Sequence, residues 1–258
     1  WAYPGTWVGE VADSWRTTGD IYCDWRSVRS IIRENLYIQA YTGGGHYNDA
    51  DMLEIGRTLS PDEEITHMVY WCITSSPLLI GCDLTKIPQR SLDLLKNRDL
   101  LAMNQDGLGL GAPVVQREDK VYVVAKDMKQ RMGPLRAVAV MNLSDEERTV
   151  GVSVEAMGFE GKVSVYDCLT HTQLPKAEGT IEVTIPAHGS QAYFVSGLRS
   201  ERCLYQAEEA YLNAYQELGR PNTAAGYAAK AADQGEYIGY LGHGEDNWLE
   251  WRDVHSRK

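Results

Sequence analysis

The hydrophobic period of this chain changes near residue 112, and no other feature restricts its fold as much. Up to Gly111, short strand-like runs alternate with helical patterns, which predicts βα units and a parallel sheet. Beyond it come six short β-rich runs, at residues 121–125, 136–141, 149–154, 162–166, 180–185 and 191–195. Turn signals such as Asn142-Leu143-Ser144-Asp145 and Ala187-His188-Gly189-Ser190 lie between them, so an antiparallel sandwich is expected. The last stretch is short for a domain of its own. The expected class is thus α/β followed by all-β, divided at residues 1–111, 112–198 and 199–258.

Composition narrows the function. Of 258 residues, 43% are apolar and 24% charged, as in an ordinary folded protein. A formal charge of -11 argues against a general nucleic-acid binder, which shows a basic face. No apolar run approaches the ~20 residues of a membrane-spanning helix, so neither nucleic acid nor membrane is an expected partner. Fifteen Tyr and seven Trp stand against two Phe. Flat rings with a polar edge suit sugars, although compositional drift explains the skew equally well. The five cysteines, Cys23, Cys72, Cys82, Cys168 and Cys203, form no CxxC pair and no disulfide framework. No cofactor is expected, and the redox compartment stays open. The chain begins at Trp1 without a visible signal peptide.

Local signals place the elements. Asp24 is the predicted N-cap of a helix over 25–32. Ser60-Pro61-Asp62-Glu63 predicts a capping box with Pro at the first helical position, followed by a broad apolar face of Ile65, Met68, Val69 and residues 71–73. Leu78-Leu79-Ile80 reads as a buried strand, and 88–103 as one helix with Leu92, Leu95 and Leu101 inward. The runs before these helices end in Arg16 and Asp20, then Asn48, Asp49 and Asp51, then Asp83. In a parallel βα architecture the strand C-termini form the functional face, so these carboxylates are expected on an active-site rim.

Two segments carry chemistry. Arg16 and Asp20 are four residues apart in Trp15-Arg16-Thr17-Thr18-Gly19-Asp20-Ile21, so on an extended strand both point the same way. A bare pair of this kind reads first as a structural ion pair. Gly43-Gly44-Gly45-His46-Tyr47-Asn48-Asp49-Ala50-Asp51-Met52 places Asp49 and Asp51 on one strand face. His46, Asp49 and Asp51 fit no zinc pattern; an oxygen-rich calcium site or hydrogen bonding to polyol hydroxyls would use the same residues. Two acidic rim positions also permit two-carboxylate glycosidic chemistry.

These two segments, with Ser76-Pro77-Leu78-Leu79-Ile80-Gly81-Cys82-Asp83-Leu84 and Met103-Asn104-Gln105-Asp106, resemble the ordered motifs of family 27 glycoside hydrolases, the α-galactosidases or melibiases. The resemblance covers residues 1–198. It implies the later half of a (β/α)8 TIM barrel, an antiparallel β-sandwich, and a retaining hydrolase acting on galactose-containing oligosaccharides or glycans. It implies Asp20 as general acid/base, Arg16 as the residue that binds sugar hydroxyls and orients the acid, and Asp51 and Met52 as pocket lining, with Trp1 as a further wall. Here the family's usual Trp-Asn-Asp-Pro-Asp reads Tyr47-Asn48-Asp49-Ala50-Asp51. The family's nucleophile, an Asp in a Lys-x-Asp pattern, belongs to an earlier strand, so the chain by itself is expected to be inactive. Residues 199–258 resemble the start of a family 6/35-like carbohydrate-binding module, a partial second β-sandwich. Tyr205-Gln206-Ala207-Glu208 opens it, and Glu208 is the implied ligand if the module holds calcium. The modular layout suggests an exported bacterial protein. A β-L-arabinopyranosidase, an α-N-acetylgalactosaminidase and a non-catalytic glycan-binding protein are the alternatives.

Overall fold

The computed structural model describes residues 4–129 and 135–200, with short strands at 211–212, 227–228, 236–237 and 249–250 and the single residue 251. Trp1, Glu208 and almost all of the expected module at 199–258 lie outside the described residues. Strands β1 (Ser14–Arg16) and β2 (Tyr47–Asp49) are parallel, with Arg16 opposite Asp49, and helix α1 (Trp25–Asn35) joins them. Helix α1 starts where the Asp24 carboxylate accepts from the Ser27 N–H at 2.9 Å. Its inward stripe is Trp25, Val28, Ile31 and Ile32, the spacing of one helical face.

Helix α2 (Pro61–Ile73) opens with the predicted capping box: the Ser60 N–H donates to Glu63 at 2.8 Å, and the Glu63 N–H to Ser60 Oγ at 3.3 Å. From Met68 to Ile73 every residue is buried. A helix buried all round needs apolar partners on both sides. One side is the parallel-strand region; the other is the sheet that follows, through its strands Leu135–Asn142 and Ser190–Arg199.

Two expectations are corrected here. Leu78-Leu79-Ile80 makes a single parallel bridge, Leu53 to Ile80, with the Leu53 N–H donating to Leu79 O at 2.7 Å. Leu79 and Ile80 are exposed, because among the described residues the segment is paired along one edge only. The expected helix over 88–103 is two helices, α3 (Gln89–Leu95) and α4 (Arg98–Asn104). Asn97 divides them: its side-chain oxygen accepts from the Asp99 and Leu100 N–H groups, while its amide donates to Cys168 O at 2.9 Å. The cap restarts the helical phase, so Leu100 and Met103 are fully buried, and Leu92, Leu95 and Leu101 only partly.

All six predicted β-runs are strands. The sheet order is β3 (Val114–Glu118), β4 (Val121–Asp127), β5 (Leu135–Asn142), β11 (Ser190–Arg199), β7 (Phe159–Asp167), β8 (Thr172–Gln173), with β9 (Ala177–Glu178) also on β7. A second sheet pairs β6 (Arg148–Ser153) with β10 (Thr180–Ile185). The larger sheet is buried on both faces. Val121, Val123, Val138, Val140 and Val195 face β6 and β10, whereas Tyr122, Val124, Ala137, Ala139 and Ala192 face the helices. The alanines leave room for α2 to approach. His188 ties the halves together: its ring lies 2.9 Å from Glu63 and 2.8 Å from Asp145 and stacks on Trp25 at 4.5 Å. That hydrogen bond holds the Asp145 carboxyl below its ordinary range.

Lys126 on β4 is buried in the same interface and donates to Ser75 Oγ at 2.7 Å and Leu110 O at 3.3 Å. Burial pushes its ammonium down to about 8, with Asp106 pulling the other way. Between pH 8 and the unfolded value of 10.5, the unfolded chain binds more protons, so this group makes stability rise with pH. From pH 7.5 to 9.5 the protein should gain about 2 kcal/mol relative to Lys126→Met in chemical unfolding. A constant difference would mean that the folded lysine titrates normally. His67 on α2 has the opposite pH range. Its Nε2 accepts from the Glu54 N–H at 2.9 Å, and burial lowers it to about 3. As pH falls from 6.5 toward 3, the unfolded chain takes up a proton that the folded ring refuses. From pH 6.5 to 4.5 the protein should lose about 2 kcal/mol more than His67→Gln does; equal losses would show a ring that protonates in the folded state.

Candidate active site

The C-terminal ends of β1 and β2 bring Arg16, Asp20, Asp51 and Met52 together. One guanidinium nitrogen of Arg16, Nη2, lies 2.5 Å from Asp51 Oδ2 and 3.4 Å from Asp20 Oδ1, and donates to Gly19 O at 2.9 Å. Arg16 and Asp20 do not meet by strand alternation, as their spacing suggested. Strand β1 ends at Arg16, and a bend at Thr18-Gly19 carries Asp20 back toward the guanidinium. Asp49 and Asp51 do not share a strand face either. Strand β2 ends at Asp49, whose Oδ1 accepts from the Asp51 N–H at 2.8 Å, a local turn that sends the chain the other way.

Asp51 adopts φ 78°, a left-handed conformation that a residue with a Cβ enters at a cost of about 1–2 kcal/mol. Five contacts hold it there. Besides Arg16 and Asp49, Oδ2 accepts from the Ile21 N–H at 2.8 Å and Oδ1 from the Met52 N–H at 2.7 Å. The carbonyl accepts from the indole N–H of Trp71 at 2.7 Å. Asp51 is largely buried and both its oxygens are committed to donors. Asp20, with its side chain 87% exposed, keeps a single long contact among the described residues. The two carboxylates are therefore suited to different work: one fixed as a hydrogen-bonding element, the other free to exchange a proton with whatever lies above it. Met52 lies against Gly81, where a Cβ would come within 2.8 Å of its sulfur.

Other expected rim residues serve structure. Asp83 accepts from the Thr85 N–H and hydroxyl, which lowers its carboxyl from the ordinary value, and pairs with Lys86 at 3.2 Å. His46 packs beside Trp15 with ring centres 6.0 Å apart, and among the described residues no His/Cys/Asp/Glu cluster can hold a metal ion. Sequence reasoning missed Trp71 and Ser76, whose Oγ accepts from the Ala50 N–H at 3.0 Å. Trp71 read as one more apolar residue of α2; its indole N–H, which needs a partner when buried, was the available signal.

Comparison with known proteins matches two successive segments of the chain. The family model described as "Alpha galactosidase A" matches residues 3–106, and that described as "Alpha galactosidase C-terminal beta sandwich domain" matches residues 118–195. The α-galactosidase of Oryza sativa subsp. japonica is 34% identical over 196 residues, 75% of this chain and 46% of that protein. Alpha-galactosidase I from Mortierella vinacea has the same fold, with a TM-score of 0.72 at 21% identity, covering 76% of this chain and 56% of that one. A family 27 β-L-arabinopyranosidase from Geobacillus stearothermophilus reaches 0.69 at 26% identity, covering 75% and 47%. The chain spans about half the length of the curated relatives it matches. Both family models lie in order along the chain, over the parallel strands that gather Arg16, Asp20 and Asp51 and over the sheet behind them: the chain belongs to the α-galactosidase family, glycoside hydrolase family 27.

Proposed function

We propose that the whole protein is a retaining exo-glycosidase that removes terminal α-galactosyl groups from oligosaccharides or glycans. The observation that carries this reading is the unequal pair of carboxylates around one Arg16 nitrogen, Asp51 held and Asp20 exposed. Asp20 protonates the glycosidic oxygen as the C–O bond breaks, and later takes a proton from the water that attacks the glycosyl-enzyme. Arg16 and Asp51 hydrogen-bond sugar hydroxyls, and Met52 supplies apolar contact. The nucleophilic carboxylate, about 5–5.5 Å from the acid in retaining enzymes, belongs to an earlier barrel strand than β1. The likeness to the arabinopyranosidase supports a second reading within the family. α-Galactose and β-L-arabinopyranose differ only in the substituent on carbon 5.

Export, a bacterial source and a carbohydrate-binding module from residue 199 belong to the same proposal. Their support is the resemblance of residues 205–208 and 239–251 to such modules.

The test uses the whole protein and a panel of nitrophenyl glycosides. α-Galactoside is expected as the best substrate, and a preference for β-L-arabinopyranoside would establish the second reading. Asp20→Asn should lower kcat/KM for an α-galactosyl disaccharide by about 10²–10⁴. Undiminished turnover would remove Asp20 from the chemistry.

A further inference from the structure

The Asp51 carboxylate offers about four acceptor positions on its two oxygens. Three are taken: Oδ2 by the Ile21 N–H and Arg16, and Oδ1 by the Met52 N–H. Among the described residues, one position on Oδ1 is left for a further donor. A sugar hydroxyl can use it only if that oxygen keeps its direction. The direction is set by the left-handed backbone, φ 78°. A relaxed backbone would swing the carboxylate elsewhere, so whatever fixes φ at Asp51 also fixes the acceptor.

Two bonds reach this turn from the end of α2 and the residues just after it. The Trp71 indole N–H donates to the Asp51 carbonyl at 2.7 Å, and Ser76 Oγ accepts from the Ala50 N–H at 3.0 Å. Neither touches a carboxylate oxygen, so both hold the turn without competing for the acceptor. Trp71 sits on a packed helix, fully buried, with its ring edge-on to His67 at 4.0 Å and to Tyr70 at 5.9 Å. Its N–H therefore has one direction, and a donor on a helix places its partner more narrowly than one on a loop. A buried indole N–H needs some acceptor. Here the acceptor is the carbonyl of the strained residue itself.

We infer that Trp71 is a positioning residue for sugar binding: its N–H holds Asp51 in the left-handed conformation and so aims the free position on Oδ1 at one sugar hydroxyl. This rests on Asp51 being a sugar ligand, as in the function proposed above. Trp71 is buried and acts only through the Asp51 backbone. Without its N–H, the Asp51 carbonyl loses its donor and the strained residue relaxes, which the sugar reads as a displaced acceptor.

The experiment measures, by calorimetry on the whole protein, the Kd of galactose, or of L-arabinose should the glycoside panel prefer it. Trp71→Phe would leave a cavity as well as remove the donor. The substitution is therefore Trp71→β-(3-benzothienyl)alanine, which keeps the shape of the ring and puts sulfur in place of the N–H. It should raise Kd about tenfold, the effect of one buried hydrogen bond. In an Asp51→Gly background, glycine takes the left-handed conformation freely and no carboxylate remains to be aimed, so the same substitution should change Kd by less than about twofold. An unchanged Kd with Asp51 present would overturn the inference, leaving the ring as packing alone. An equal loss in both backgrounds would overturn it too, because the effect would not pass through Asp51. Asp51→Gly alone tests the underlying reading: it should weaken the sugar about tenfold or more, and an unaltered Kd would remove Asp51 from sugar binding and the inference with it.

Discussion

From Met68 to Ile73 helix α2 is enclosed on all sides, and both halves of the structure take their arrangement from that burial. One flank meets the parallel-strand region and the other meets the alanine-rich face of the large sheet at Ala137, Ala139 and Ala192. Apolar burial is non-directional, so it brings the two layers together without setting their register. Directional bonds at the helix set it. Thr66 donates to His188 O at 2.6 Å, His188 reaches back to Glu63, and Lys126 enters from β4 to the Ser75 turn just after the helix. The sandwich is thus continuous with the core under the site.

The same helix reaches the site through one bond. Trp71 is fully buried, its ring in an edge-on contact with His67, and its N–H ends on the carbonyl of Asp51. A left-handed backbone at a non-glycine residue persists where its surroundings over-determine it, and Asp51 is held through its amide, its carbonyl and both carboxylate oxygens. Strain of this kind places the carboxylate within reach of Arg16 and turns it away from the line of β2. Among the described residues Asp20 has no comparable network. Its side chain is left exposed, whereas that of Asp51 is held.

Much of this was legible in the residues. Both major helix starts were, because a cap is a local interaction between side chain and backbone within four residues: Asp24 to Ser27, and Ser60 with Glu63. All six β-runs were, because burial leaves a run of branched side chains whichever partner covers it. The misreadings share a cause. Residues 88–103 carry one continuous apolar pattern, but Asn97 turns its oxygen to the next helix and its amide to Cys168, a partner 71 positions away. The buried strand expected at Leu78-Leu79-Ile80 had the right composition, but among the described residues only one edge of it is paired.

The site divides along the same line. By itself, the sequence determined which segments supply the candidate site, since the order and spacing of the Arg16–Asp20 and Asp49–Met52 segments are chain-local facts. How those side chains meet was decided only by the tertiary structure. Period-two alternation put Arg16 beside Asp20 and Asp49 beside Asp51, whereas both strands end before the second residue of each pair, and a bend and a left-handed turn do the positioning. Sequence spacing predicts contact only while the backbone stays regular. At these strand ends the conformation is set by Trp71, by the Ile21 amide and by Arg16, partners that come from other elements and meet Asp51 only once the chain has folded.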